Sequence, residues 1–522
     1  MERMPTVMNH NFAQVPSVQL GRSTFNRSHG YKTTFNASDL IPIYCDEVLP
    51  GDTVALNCNL FARMATPIHP IMDNLYLDTF FFFVPNRLLW SNHEKMHGER
   101  VNPSDSIDYL TPQVTTPTGG FASGSLADYM GIPVGVNGME NVNAFHFRAY
   151  NKIYNDWFRD ENLQDSVTEN MGDGPDADTD YPILKRNKRH DYFTSCLPTP
   201  QKGPEVNLPL GTKAWVQQDP TQIGTGMVAV QNPTTGNFHG LEKTATTNYV
   251  FAGNYLNGPN RGLFADLSTA SAATINQLRL AFSTQRLLER DMRGGTRYIE
   301  LLKSHFGVTS PDGRLQRPEY LGGGSSYVRV TANAQQSETT SNSPQGNLAG
   351  IGTVSTDKPQ GFTKSFTEHG VLLGLCSVRA DLTYSQGLDK MWTRRSRFDY
   401  YYPELANLGE QAVFSKEIFV DGSANDETVF GYQERWAEYR FKNSRITGQM
   451  RSSYSTPLDT WHLSQNFSTR PVLNNIFISE NVPMARISAV PSEPDFILDS
   501  YFDLKTTRVM PTYSVPSLEA RF

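Results

Sequence analysis

His93-Glu94-Lys95-Met96-His97 fits H-E-x-x-H, the spacing that sets two imidazoles one helical turn apart around a zinc ion, with the glutamate as base. The chemistry of such a set is metal-assisted peptide hydrolysis. Its surroundings oppose that reading. Ser91 or Asn92 would cap a helix just before it and Gly98 would end it just after, leaving little more than one turn. The longer HExxHxxGxxH pattern meets Arg100 in place of glycine and Pro103 in place of the third histidine. The motif therefore reads as a short surface helix without metal. Asp176, Asp178 and Asp180 open like a calcium loop, but Tyr181 stands at the sixth position and Asn187 at the twelfth, so the run reads as a solvated acidic loop. Gly322 to Gly324 form no GxGxxG and open no helix. The expectation is a chain with no catalytic residues, no metal and no cofactor.

Cations set among aromatic rings suit a different chemistry. Lys185, Arg186, Lys188 and Arg189 place four positive charges in five residues, followed by Tyr192 and Phe193. Trp392, Arg394, Arg395 and Arg397 lead into Phe398 and Tyr400 to Tyr402. The first 32 residues carry Arg3, Arg22, Arg27 and Lys32 against Glu2 alone. Single-stranded nucleic acid is bound this way, with charges tracking phosphates and rings stacking on bases. The whole chain has a net charge of −7, so no global basic field is present and such contact must come from local patches on one face. The candidate DNA contacts are Arg22, Arg27, Lys32, Lys185, Arg186, Lys188, Arg189, Trp392, Arg394, Arg395 and Arg397.

The elements that must carry these residues are mostly strands. With 522 residues, 32 Pro, 39 Gly and 19% charged residues, the composition is that of a folded, loop-rich protein. From Tyr31 to Trp90 strand follows strand with no intervening helix, which argues for an antiparallel sandwich or barrel. Val54, Leu56, Cys58 and Leu60 alternate on one face. Phe80 to Phe83 send successive rings to opposite sides of a strand, so both sides need cover. Helical spacing recurs in three stretches: Val142 to Asn162, Ala273 to Arg293 and Thr296 to Phe306, the last two split by Gly294-Gly295. Cys45, Cys58, Cys196 and Cys376 show no zinc-finger spacing and are expected to be reduced and mostly buried. No apolar run is long enough for a signal peptide core or a membrane span, so no membrane insertion is expected.

Several long blocks carry a resemblance: NRSHGYKTTFNASDLIPIYCDEVLPGD, FARMATPIHPIMDNLYLDTFFFFVPNRLLW, LKRNKRHDYFTSCLPTPQKG, SFTEHGVLLGLCSVRADLTYSQGLDKMW, YYPELANLGEQAVFSKEI and FDLKTTRVMPTYSVPSLEARF. In this order they resemble the major capsid protein of microviruses, in the gokushovirus branch of small single-stranded DNA phages. The resemblance implies a mainly β fold, an eight-stranded antiparallel jelly-roll barrel with long loop insertions and a few helices. It implies a single capsid domain over residues 1–522. That domain would have an extended N-terminal arm (1–30), a variable surface insertion (205–271) forming a threefold protrusion, and an extended C-terminal arm (500–522). About sixty copies would close into a T=1 shell around circular single-stranded DNA, assembled in the bacterial host cytoplasm and found in the virion capsid. Further partners implied are minor spike or pilot, DNA-binding and scaffolding proteins, and a host surface receptor met by the insertion. The competing functions are a zinc metalloprotease built on HEKMH and a jelly-roll glycan-binding protein.

Overall fold

The computed structural model describes residues 21–140, 142–204, 275–309, 315–336, 338–339, 344–356 and 359–513, with residue 206 and the backbone of five short strands between 216 and 265. The chain divides into two compact units, Met1–Pro198 with Ser310–Phe522, and Thr199–Thr309. The second unit contains the stretch 205–271 that the sequence reading set apart as an insertion.

In the main unit the strands of the two large sheets are β1 (Ser23–Asn26), β2 (His29–Phe35), β3 (Asp39–Val48), β4 (Thr53–Met64), β5 (Leu75–Pro85), β6 (Leu184–Lys185), β7 (Glu319–Tyr327), β8 (Arg329–Ala334), β9 (Leu348–Ser355), β10 (Gln360–Ser365), β11 (Gly370–Ala380) and β12 (Phe496–Arg508). A seven-stranded antiparallel sheet runs β1-β12-β4-β9-β8, with β2 also on β12 and β10 also on β4. A five-stranded antiparallel sheet runs β7-β5-β11-β3-β6. Among the described residues no strand of one sheet pairs with the other, so the sheets form a sandwich and not a closed barrel.

Period-two patterning builds the core. β4 turns Val54, Leu56, Cys58, Leu60, Ala62 and Met64 inward, and β12 adds Phe496, Leu498, Phe502 and Leu504. β3, β5 and β11 of the smaller sheet meet them from the other side with Ile41, Ile43, Leu77, Phe81, Phe83, Leu372 and Cys376. The smaller sheet is buried on both faces. Its outer side carries Leu40, Phe82, Val84, Val371, Leu373 and Leu375 against a layer from residues 89–184 that includes Trp90, Phe121 and the helix Phe145–Ile153. The phenylalanine run is therefore divided as alternation requires. Phe81 and Phe83 enter the core between the sheets, where Phe83 meets Phe366 at a ring separation of 4.6 Å. Phe80 and Phe82 are covered by the outer layer, Phe80 meeting Phe158 at 5.2 Å and Phe82 meeting Trp157 at 5.5 Å. Each buried ring contributes roughly 1.5–3 kcal/mol. Gly374 of β11 lies between Phe81 and Tyr44, where a Cβ would come within 2.8 Å of the Phe81 ring and 2.9 Å of the Tyr44 Cβ, so glycine lets the Phe81 ring close over the strand.

Parts of both foreseen arms pair as strands. Residues 500–508, foreseen in the C-terminal arm, belong to β12, because their alternation continues that of Phe496 and Leu498 and buries Phe502 and Leu504. Residues 23–26 and 29–30, foreseen in the N-terminal arm, pair with the same strand. Residues 1–20 and 514–522 lie outside the described residues.

In the second unit, Val216–Gln218 pairs with Leu263–Ala265, and Ala229–Gln231, Phe238–Lys243 and Val250–Asn254 form an antiparallel set. The two foreseen helices are present as Ile275–Arg293 and Tyr298–Phe306, broken at Gly294-Gly295, where Gly295 takes a φ of 92°.

Candidate nucleic-acid interface and histidine cluster

A buried ion pair ties together the layer of residues 89–184, which carries His93 and His97 and the acidic run from Asp176. Arg148, on the helix α2 (Phe145–Ile153) that follows the short α1 (His93–Met96), donates from Nε and Nη2 to both oxygens of Asp176 at 2.7 and 2.8 Å. The Tyr181 hydroxyl donates to the same carboxylate at 2.5 Å. Asp176 is 1% exposed, which corrects the reading of a solvated acidic loop: the first aspartate of that run is an internal anchor. Charge counting missed it because the partner lies 28 positions upstream.

The basic run 185–189 is likewise divided by its surroundings. Lys185, in the edge strand β6, is exposed and bonds Asn481 at 3.1 Å. Arg186 pairs with Asp78 and lies 5.4 Å over the Phe80 ring. Arg379 reaches the same aspartate at 2.8 Å. Lys188 is buried, donating from Nζ to the Phe477 carbonyl at 2.7 Å and lying 4.5 Å over its ring. Burial lowers its ammonium pKa and raises that of nearby Glu480 to about 7, with Lys188, Arg186 and Arg379 opposing the rise. Arg189 is exposed. The run thus presents two cations outward and turns two inward.

Near the N-terminal strands, Arg22 is exposed and donates to Gly51 and Thr53, Arg27 grips Asp46 through two bonds of 2.7 and 2.9 Å, and Lys32 faces Asp499 at 3.3 Å with both side chains mostly exposed. The Asp46 carboxylate holds the Arg27 guanidinium above its ordinary pKa.

The third set adjoins a hydrophobic cluster of Tyr192, Phe193, Val413 and Phe477, with Arg394 beside Tyr192 and Phe193. Arg394 is fixed by Glu438 at 3.0 Å and lies 4.3 Å over Tyr439. Arg397 lies 5.2 Å over Tyr402, Arg395 is exposed, and Trp392 is 67% exposed beside exposed Phe398, Tyr400 and Tyr401. This is the densest exposed gathering of rings and guanidinium groups among the candidates. An adjoining cavity of about 150 Å³ is lined by Lys390, Arg394, Glu417 and Glu438. Its mixed charges satisfy one another, so the cavity itself is no seat for an anion. The second and third sets meet at one hydrophobic cluster, Lys188 lying against Phe477 and Arg394 lining the cavity beside Tyr192 and Phe193.

The H-E-x-x-H residues are less isolated than their spacing implied. α1 spans His93–Met96 and ends before Gly98, as foreseen, but His93 is 7% exposed. His369, from the turn before β11, joins it. Ligand-capable atoms of His93, His97 and His369 lie within 4.8 Å of one another. The His97 and His369 rings stack at 4.5 Å, and His93 meets His97 at 4.6 Å. Burial and the two neighbouring rings press the His93 pKa down to about 4. The four cysteines are free, with Cys45 half-buried and the others buried, as expected.

A protein-family model described as capsid protein (F protein) matches residues 13–518. The chain is 50% identical over 526 residues to the capsid protein VP1 of Bdellovibrio phage phiMH2K, covering 98% of each. It is 42% identical over 599 residues to capsid protein VP1 of Chlamydia phage 1, covering 99% of each. It is 37% identical over 547 residues to capsid protein VP1 of Spiroplasma virus 4, covering 98% of this chain and 97% of that one. With a two-sheet architecture, a match along nearly the whole chain and three such relatives, the chain belongs to the capsid protein (F protein) family of microvirus-type phages and has that family's structural role.

Proposed function

We propose that this chain closes into a T=1 icosahedral shell of about sixty copies around circular single-stranded DNA. The observation that carries the reading is the likeness to named capsid proteins along essentially the full length of each. On this reading the two facing sheets are a jelly roll widened by extra edge strands. The outward face of the larger sheet supports self-association: Phe61 of β4 stands opposite Asp499 of β12 and diagonal to Ile497 and Tyr501, and the three apolar side chains are 42%, 63% and 53% exposed. Exposed apolar residues grouped in this way mark interaction surfaces.

The DNA would be met by the cations that remain outward, Arg22, Lys32, Lys185, Arg189, Arg395 and Arg397, with Trp392 and the neighbouring tyrosines stacking on bases. Arg27, Arg186, Lys188 and Arg394 act in this proposal as internal ties that hold those surfaces in place. The insertion over 205–271 would meet the host receptor, while minor spike or pilot, DNA-binding and scaffolding proteins join during assembly in the host cytoplasm. Negative-stain imaging with sedimentation of the purified protein, alone and co-expressed with the other virion proteins, tests the central statement. Uniform closed particles are expected; a small species under both conditions overturns it.

A further inference from the structure

We propose that His93, His97 and His369 bind one divalent transition-metal ion of the zinc type, which ties α1 to the turn before β11. The argument is independent of shell formation. Three imidazoles from two distant parts of the chain converge, with their ligand-capable atoms within 4.8 Å. The convergence is held by the backbone. The Asn86 N–H donates to the His369 carbonyl at 3.1 Å, and Arg87 pairs with Glu368 at 2.8 Å, so the turn carrying His369 is pinned to the end of β5 from which α1 departs. On the other side α1 is seated by Trp90, fully buried, whose indole N–H donates to Asp173 at 2.7 Å. His93 itself is nine-tenths buried, and its Nδ1 is buried with no hydrogen-bond partner. A buried imidazole nitrogen left unsatisfied beside two other imidazoles is a position that a cation would complete.

The donor set names the class of ion. The converging ligands are three imidazoles, with Glu94 and Glu368 near enough to act on His93 electrostatically, so zinc, cobalt, nickel or copper fit the set, whereas calcium and magnesium require oxygen ligands. Tetrahedral zinc with bonds near 2.0–2.1 Å wants ligand nitrogens about 3.4 Å apart, so the exposed His97 ring must leave its stack on His369 and turn inward. Water fills the remaining position. Sequence spacing alone could not find this site, because its third ligand lies at 369 and not at 103, where the metalloprotease pattern would put it.

The test uses the full-length protein, stripped with a chelator, dialysed, and titrated with cobalt(II) and then zinc. The result expected is about one ion per chain, the visible absorption of a four-coordinate cobalt(II) centre, its displacement by zinc, and a rise in melting temperature with zinc. His97→Ala and His369→Ala, the two more accessible ligands, should each weaken binding by at least about tenfold while the circular dichroism stays unchanged. His190→Ala, on an exposed histidine elsewhere, should change nothing. Absence of the cobalt spectrum, or binding that survives both ligand substitutions, overturns the proposal.

Discussion

Arg148 and Asp176 face each other as two parallel hydrogen bonds of 2.7 and 2.8 Å, their side chains 2% and 0% exposed. The remaining terminal nitrogen of Arg148 donates to the carbonyls of Leu89 and Gly172, both at 2.9 Å, so one side chain joins α2 to both ends of the layer that covers Phe82. Removing one partner strands the other charge in the interior. Arg148→Ala should cost about 3–5 kcal/mol in denaturant unfolding of the unassembled protein, while Arg148→Met with Asp176→Leu should recover much of it. A loss below about 1 kcal/mol in the single variant would show that water reaches the pair.

Gly374→Ala should destabilise by about 1–3 kcal/mol, because the new methyl meets Phe81 and Tyr44 inside van der Waals distance. The cost should be non-additive with Phe81→Ala, which opens the space the methyl needs. Thermal melts of the two single variants and the double variant decide it; strictly additive losses would contradict the contact.

Glu480 supplies a pH dependence of defined sign. Its buried carboxyl holds a proton up to about pH 7, against an ordinary value of 4.5, so between these values the folded chain keeps a proton that the unfolded chain releases. Stability from this group is therefore present below about 4.5 and falls as pH rises through 7, at up to about 1.4 kcal/mol per pH unit. Glu480→Gln should flatten the curve of stability against pH in that interval. An unchanged slope would place the titration elsewhere.

Arg395→Ala with Arg397→Ala should weaken single-stranded DNA binding and lower the slope of log affinity against log salt by about 1.4, at about 0.7 for each phosphate no longer neutralised. Trp392→Ala should cost about 1–3 kcal/mol with little change in that slope, as expected for a ring stacking on a base. Lys188→Ala, a buried site, should lower stability and leave the slope alone. Fluorescence anisotropy across a salt series separates the three outcomes; equal slopes for the arginine pair and the parent would remove this surface from the proposed interface.

What sequence revealed and what it hid follow one rule. Alternation is local, so the division of Phe80 to Phe83 between two sides, the inward row of β4 and the two helices after residue 273 could be read directly. Partners are not local. Lys188 and Arg189 are neighbours of the same sign, yet one is sealed against Phe477 and the other faces solvent, and nothing in LKRNKRH separates them. Asp176 resembled a solvated acid until Arg148 was placed beside it. His369 is far from H-E-x-x-H in sequence and adjacent in space because Asn86 and Arg87 hold its turn. The alternation that carries β12 to Arg508 stands just before Pro511 and Pro516, whose arm-like composition drew the expectation of an extended tail from residue 500.

The pairing of β12 also sets an order in time. β4 ends at Met64 and β12, its long partner, begins at Phe496, 432 positions later in synthesis. At about 5–20 residues per second, β4 waits roughly 20 to 90 s beside the ribosome before that partner exists. Through that interval one edge of β4 lacks its long hydrogen-bonding partner, and β1 and β2 lack the strand they pair with. The larger sheet can therefore begin with β4, β8, β9 and β10 but is completed only when β12 arrives, and the outer face that β4 and β12 share cannot be offered to another copy before then.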